Sequence, residues 1–300
     1  MAEEIIVCAL YHFAPLDEMD QVRQCLISIM NEHGIMGTLI LAKEGINGTV
    51  SGPVKGLQDL LRFIRAIPGF EDLITKESVA HKQRQPFLRR KVKIKKEIVT
   101  LGVEDIQPVR DRGQYVEPKD WNALISRKDV QLIDTRNSYE TLLGTFQGAV
   151  DPCTSNFREF PKWAEENLAE AKNAGKSIAM YCTGGIRCEK STSLLRKMGF
   201  QKVYHLQGGI LKYLEEIPPE ESLWKGECYV FDERVGVDTS LQPSSTWTKC
   251  RGCRWPITAE DMKDENYIEG VQCPRCHDKR SAKSIERARA RHAQIAAASI

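Results

Sequence analysis

Residues 181–191 read YCTGGIRCEKS: a cysteine that closes the apolar run SIAMY, two glycines, an arginine, a second cysteine and a stretch of helical character. A turn of this kind between strand and helix directs successive backbone N–H groups inward. Glycine tolerates the tight curvature, and the following helix adds the positive end of its dipole. Thr183, Gly184, Gly185 and Ile186 therefore form a nest for an anion, whose natural occupant is the Cys182 thiolate or a group attached to it. The same field, with Arg187 alongside, lowers a thiol pKa and makes the sulfur nucleophilic. An isolated cysteine at a strand end ordinarily packs as a small hydrophobe, so the reading rests on the combination.

Around this loop the pattern is α/β. VQLIDT and SIAMYC read as buried strands, residues 156–172 and CEKSTSLLRKMG as helices, and KVYHLQ with GGILKYLEEI as a further strand and helix. Strands alternating with helices imply a parallel sheet with its ligand site at the carboxyl ends of the strands, where Cys182 falls. Towards the N-terminus, EIIVCALYHF, residues 18–33, MGTLILA, INGTVSG, residues 54–67 and EDLITKESVA give the order βαββαβ of ferredoxin-like domains. In the following RRKVKIKK, lysines 91, 93 and 95 alternate with Val92 and Ile94, so a strand there presents one basic and one apolar face. The expected organisation is a ferredoxin-like domain with its basic strand over 1–102, a linker over 103–117, a parallel-sheet domain over 118–220, and a Cys-rich module with a basic helical tail over 221–300.

The formal net charge of +2 conceals two basic segments. Residues 82–96 hold eight Lys or Arg and no acid, and residues 275–292 hold seven with two acids, leaving the remainder acidic. Such segments suit a polyanionic partner; Arg89, Arg90, Lys91, Lys93 and Lys95 are the candidate RNA contacts. The N-terminus has neither a signal-peptide pattern nor an apolar span, and mean hydropathy is −0.40, which points to a cytoplasmic protein without membrane attachment.

Of ten cysteines, Cys250, Cys253, Cys273 and Cys276 form two CxxC pairs. This two-knuckle spacing fits a structural zinc site closed by four thiolates. Iron in the same tetrahedron is the alternative. No GxGxxG fingerprint for flavin or nicotinamide is seen, and the six histidines form no evident two-histidine, one-carboxylate set.

LIDTRNSYE (132–140), YCTGGIRCEKS and HLQGGI (205–210) together resemble a rhodanese domain. The resemblance implies that Cys182 carries a persulfide and that Arg187 and the loop amides line its pocket, with Asp134 and Arg136 bracing the fold and the site entrance. Cys188, where serine is commoner, either resolves an oxidised Cys182 through a disulfide or fills the first helical turn. Cys-x4-Arg is one residue shorter than the loop of the related phosphatases, which favours sulfur chemistry over phosphate hydrolysis.

With AKEGINGTVSG (42–52), KVKIKKEIVTLG (91–102) and WKGECYVFDERV (224–235) added, the chain from about residue 5 to about 276 resembles the bacterial tRNA uridine hydroxylases of the TrhO type. That resemblance implies oxygen-dependent conversion of the wobble uridine to 5-hydroxyuridine, with molecular oxygen as co-substrate, the tRNA anticodon region as partner and the loop cysteine required. A rhodanese-type sulfurtransferase carrying a persulfide on Cys182 is the alternative. Tyr181 and Phe87 are conceivable base-stacking partners, with packing as their ordinary role.

Overall fold

The computed structural model describes residues 5–79 and 86–297, so Lys82 and Arg84 of the first basic segment lie outside the described residues. β1 (Ile5–Phe13), α1 (Met19–Glu32), β2 (Met36–Ala42), β3 (Gly45–Pro53), α2 (Val54–Arg65) and β4 (Ile74–Val79) follow the βαββαβ order, and β5 (Arg90–Ile94) comes next. They make one sheet in the order β4-β1-β3-β2-β5, antiparallel except where β5 runs parallel to β2. α1 buries Leu26 and Met30, and α2 buries Leu57, Leu60, Leu61 and Ile64, in one cluster with Leu10, Leu39 and Val50 of the sheet. The apolar stripes at helical spacing are thus the faces that meet the strands.

The two-faced pattern of β5 is only half realised. Val92 is buried at 5% exposure, but Ile94 remains 36% exposed. The strand ends there, and Lys95 makes its last sheet contact by donating its N–H to Leu41 O at 2.8 Å.

The central domain opens with α3 (Pro108–Asp111), β6 (Gln114–Val116), α4 (Pro118–Ile125), β7 (Val130–Asp134), α5 (Ser138–Thr141) and β8 (Gly144–Phe146). It continues with α6 (Phe160–Asn167), α7 (Ala169–Asn173), β9 (Ser177–Tyr181), α8 (Ile186–Lys197), β10 (Val203–Leu206) and α9 (Gly209–Glu216). Four strands form a parallel sheet in the order β6-β10-β9-β7. β6 arises within the stretch expected as linker. The single helix expected over 156–172 is broken into a 3-10 turn (Phe157–Glu159), α6 and α7. Leu168 marks the break: its side chain is fully buried with Phe160 and Ala164, and its backbone leaves the helical region at φ −107°, ψ 4°.

β11 (Trp224–Gly226) pairs with β8, and β12 (Cys228–Tyr229) pairs with β13 (Gly236–Val237). Trp224, Cys228 and Val237 share a core with Phe146, Tyr181 and Tyr213. Tyr181 is therefore interior: its hydroxyl meets Thr145 Oγ1 at 2.9 Å and accepts from Phe146 N at 3.3 Å, which removes it as a base-stacking surface. β14 (Thr248–Lys249), β15 (Pro256–Ile257) and α10 (Ala282–Ala297) complete the chain around the cysteine quartet. No helix among the described residues is long and apolar enough to cross a membrane.

Candidate active site

β9 is buried along its whole length and delivers Cys182 to the carboxyl edge of the parallel sheet, 1% exposed. Gly185 adopts φ +97°, a conformation open to glycine at little cost, and turns the chain so that its N–H donates to Cys182 Sγ at 3.1 Å. Cys188 N donates to Gly185 O at 3.0 Å and closes the turn. Gly184 has no such requirement; a Cβ there meets nothing within 4 Å.

The HLQGGI motif closes the loop from the other side. A Cβ on Gly209 would stand 2.5 Å from Cys182 O, and this close approach lets Ile210 N and Leu211 N donate to Cys182 O and Thr183 O at 3.0 and 3.2 Å.

Burial works against the Cys182 thiolate. It is outweighed by a hydrogen bond from the Cys188 thiol, the Arg187 guanidinium and the backbone N–H groups of Cys188 and Arg187, so the pKa falls to about 6. Burial and the charge of Cys182 push Cys188 the opposite way, well above the ordinary thiol range. Its Sγ also lies 3.6 Å from Thr135 Oγ1. The two sulfurs are driven in opposite directions, Cys182 towards the thiolate and Cys188 towards the thiol.

Arg187 does not reach out to solvent. Its Nη1 and Nη2 donate to Glu140 Oε2 and Oε1, each at 2.6 Å, and Glu140 is fully buried. Thr183 Oγ1 donates to Glu140 Oε1 at 3.3 Å, and Asn137 N donates to Oε2 at 3.1 Å. Burial raises the Glu140 pKa, yet Arg187 prevails and holds it below the ordinary value. Sequence reading passed over Glu140, although Asn137-x-x-Glu140 is a capping-box spacing that could have marked it.

Asp134 and Arg136 form a fork with no exposure. Arg136 Nε and Nη2 donate to Asp134 Oδ1 and Oδ2 at 2.9 and 2.6 Å, and Nη2 reaches Gly144 O at 2.6 Å. The guanidinium also faces the Trp224 ring at 5.0 Å. The pair ties the end of β7 to β8.

A second neglected group lies on α8. Glu189 is 2% exposed; Tyr11 of β1 donates to its Oε1 at 3.3 Å, Tyr115 donates to the same oxygen, and Arg112 Nη1 stands 3.8 Å from Oε2. The Tyr11 hydroxyl also lies 3.1 Å from where a Cβ on Gly185 would sit, so the N-terminal domain touches the back of the loop. Next to it, Lys190 bonds Glu44 and Glu97, each at 2.7 Å. Glu44 belongs to AKEGINGTVSG, which gives that motif a physical role in domain docking.

Of the proposed RNA contacts, Arg89, Lys93 and Lys95 are exposed, whereas Arg90 and Lys91 are half-buried. Arg90 donates Nε to Ile35 O at 2.7 Å and Nη1 to Asn31, so it is bound within the domain. The four sulfurs of Cys250, Cys253, Cys273 and Cys276 lie within 4.8 Å of one another and could hold a metal ion. Cys273 Sγ is 3.8 Å from both Cys253 Sγ and Cys276 Sγ. Sulfurs at the corners of a tetrahedron with arms of about 2.3 Å stand at about this separation, as zinc requires.

The strand, nest and helix around Cys182 define a rhodanese-like domain, and the model of that family matches residues 117–216. Residues 5–98 match the UPF0176 acylphosphatase-like domain. A tRNA uridine(34) hydroxylase of Sinorhizobium medicae is 55% identical over 284 residues, which cover 95% of this chain and 89% of that protein. The chain belongs to the tRNA uridine(34) hydroxylase family. Among solved structures, a rhodanese-related protein of Thermoplasma volcanium is 20% identical, covering 35% of this chain and 95% of its own, with a TM-score of 0.29. A protein of unknown function from Rhodopseudomonas palustris is 25% identical, covering 34% of this chain and 80% of its own, also with a TM-score of 0.29.

Proposed function

We propose that this protein hydroxylates the wobble uridine of tRNA at C5, giving 5-hydroxyuridine, with molecular oxygen as co-substrate and Cys182 as the reacting group. The observation that carries this reading is its 55% identity, over nearly the whole chain, to a protein named a tRNA uridine(34) hydroxylase. The chemistry of the loop supports it: a thiol whose pKa is lowered to about 6 is largely thiolate at neutral pH.

The thiolate adds to C6 of the uracil ring and raises the electron density at C5. One oxygen atom of O2 forms the new bond at C5, the C5 proton is lost to water, and expulsion of the Cys182 thiolate restores the ring double bond. The second oxygen atom leaves as water, which consumes two electrons and two protons; a thiol reductant supplies them and becomes a disulfide. Cys188, beside Cys182, captures an oxidised Cys182 as a disulfide with loss of water, and the thiol reductant then reduces that disulfide to two thiols. Zinc, if held by Cys250, Cys253, Cys273 and Cys276, would serve the fold rather than the reaction. A tRNA substrate supports a cytoplasmic location.

Uridine-34 tRNA incubated with the protein and isotopically labelled O2 tests the reading. Labelled oxygen in the modified nucleoside supports it; label found only in water refutes direct insertion. The same nest can stabilise a persulfide on Cys182, the sulfurtransferase alternative. That alternative predicts exchange of uridine oxygen for sulfur when thiosulfate is supplied.

A further inference from the structure

Where the chain leaves β5 it borders a groove of about 560 Å³, in the size range of roughly 300–1,000 Å³ usual for ligand sites. Lys95 and Lys96 come from the N-terminal side, and Arg158 comes from the 3-10 turn of the central domain. Ile40, Ile98 and Val99 add apolar wall. The carboxylate in the lining, Glu97, is already engaged by Lys190 Nζ at 2.7 Å and by the N–H groups of Leu101 and Gly102 at 3.0 and 3.2 Å.

Lys95, Lys96 and Arg158 are exposed, and none makes an ion pair among the described residues. Three uncompensated cations around one concavity repel one another and raise the local concentration of anions. Their spread over two domains suits an extended polyanion better than a single phosphate group. By contrast, Arg90 in the strand is held by Ile35 O and Asn31 and is not free to join this charge.

We infer that Lys95, Lys96 and Arg158 form a groove for the phosphodiester backbone of RNA, spanning the junction of the N-terminal and central domains. The inference rests on the tRNA reading and adds Lys96 and Arg158 to it. Glu97 links the groove to Lys190 of α8, the helix that opens at the Cys182 loop. Backbone bound in the groove is thereby registered to the helix that follows the reactive thiol.

The test is equilibrium binding of unmodified, transcribed uridine-34 tRNA to the full chain across a salt series. The proteins compared are wild type, the Lys96→Ala/Arg158→Ala double variant and a Lys128→Ala control on an exposed turn that does not line the groove. Each lost phosphate contact should flatten the slope of log affinity against log salt by about 0.7 to 0.9. The double variant should bind about tenfold more weakly at moderate salt, whereas the control should match wild type. Unchanged iodoacetamide reactivity of Cys182 verifies that the loop is intact in the variant. Equal affinity and slope in wild type and double variant overturn the groove alone. A wild-type chain that does not bind tRNA overturns the tRNA reading and the groove with it.

Discussion

Glu140 holds Arg187 by two parallel hydrogen bonds of 2.6 Å inside the protein, so the arginine beside the reactive thiol is fixed by a carboxylate that arrives from a different turn. Its charge reaches Cys182 through a rigid pair rather than as a free side chain. The backbone N–H of Gly185 provides a direct hydrogen bond to the sulfur at 3.1 Å.

Glu140→Gln should leave an uncompensated guanidinium in the interior and cost about 3–5 kcal/mol of stability. The urea unfolding midpoint measures this. A change below about 1 kcal/mol would mean that the pair is solvated in the folded protein.

The thiolate reading predicts a pH dependence with a definite sign. The Cys182 pKa is lowered to about 6 from the usual 9.0, so the alkylation rate at Cys182 should rise through a midpoint near pH 6. The folded-state pKa is depressed, so the associated stability is complete above the unfolded value of 9 and is lost as pH falls through about 6. Alkylation of wild-type and Cys182→Ser protein, read by peptide mass spectrometry, measures the midpoint. One at pH 8 or above would show that burial prevails over the nest.

Lys190→Met should disconnect the two domains at α8. It strands Glu44 and Glu97, each bonded to Lys190 at 2.7 Å, and removes a cation that is 2% exposed. A loss of about 3–5 kcal/mol is expected. Calorimetry should then show the N-terminal and central domains melting separately; a single transition at the wild-type temperature would contradict the docking role.

Much of this was legible in the sequence because local chemistry dictated it. The βαββαβ order followed from periodicity, and the nest followed from glycines that leave room for Gly185 at φ +97° and for Gly209 against Cys182 O. What escaped was set by tertiary burial. CEKSTSLLRKMG read only as a helix, yet Glu189, Lys190, Ser191, Thr192 and Ser193 are all buried, and Tyr11, Tyr115, Glu44 and Glu97 come from elsewhere to satisfy the first two. Likewise, nothing local in Ile94 showed that β5 would end with that side chain at an edge.

The cysteine quartet makes a further prediction. The purified chain should contain one zinc ion, and Cys273→Ser should release it and selectively unfold the region around α10, because bound metal contributes directly to the stability of such modules. Elemental analysis with hydrogen exchange measures both effects. A zinc-free chain with a protected C-terminal region would remove the structural-zinc assignment, and iron in place of zinc would open a redox role.

Nucleoside mass spectrometry of uridine-34 tRNA incubated with the protein tests the central claim most directly. Wild-type protein is compared in air and without oxygen, beside Cys182→Ser. The expected result is a gain of one oxygen atom on uridine with wild-type protein in air and no gain in either control. Equal hydroxylation by Cys182→Ser would contradict the assignment of Cys182 as the reacting group.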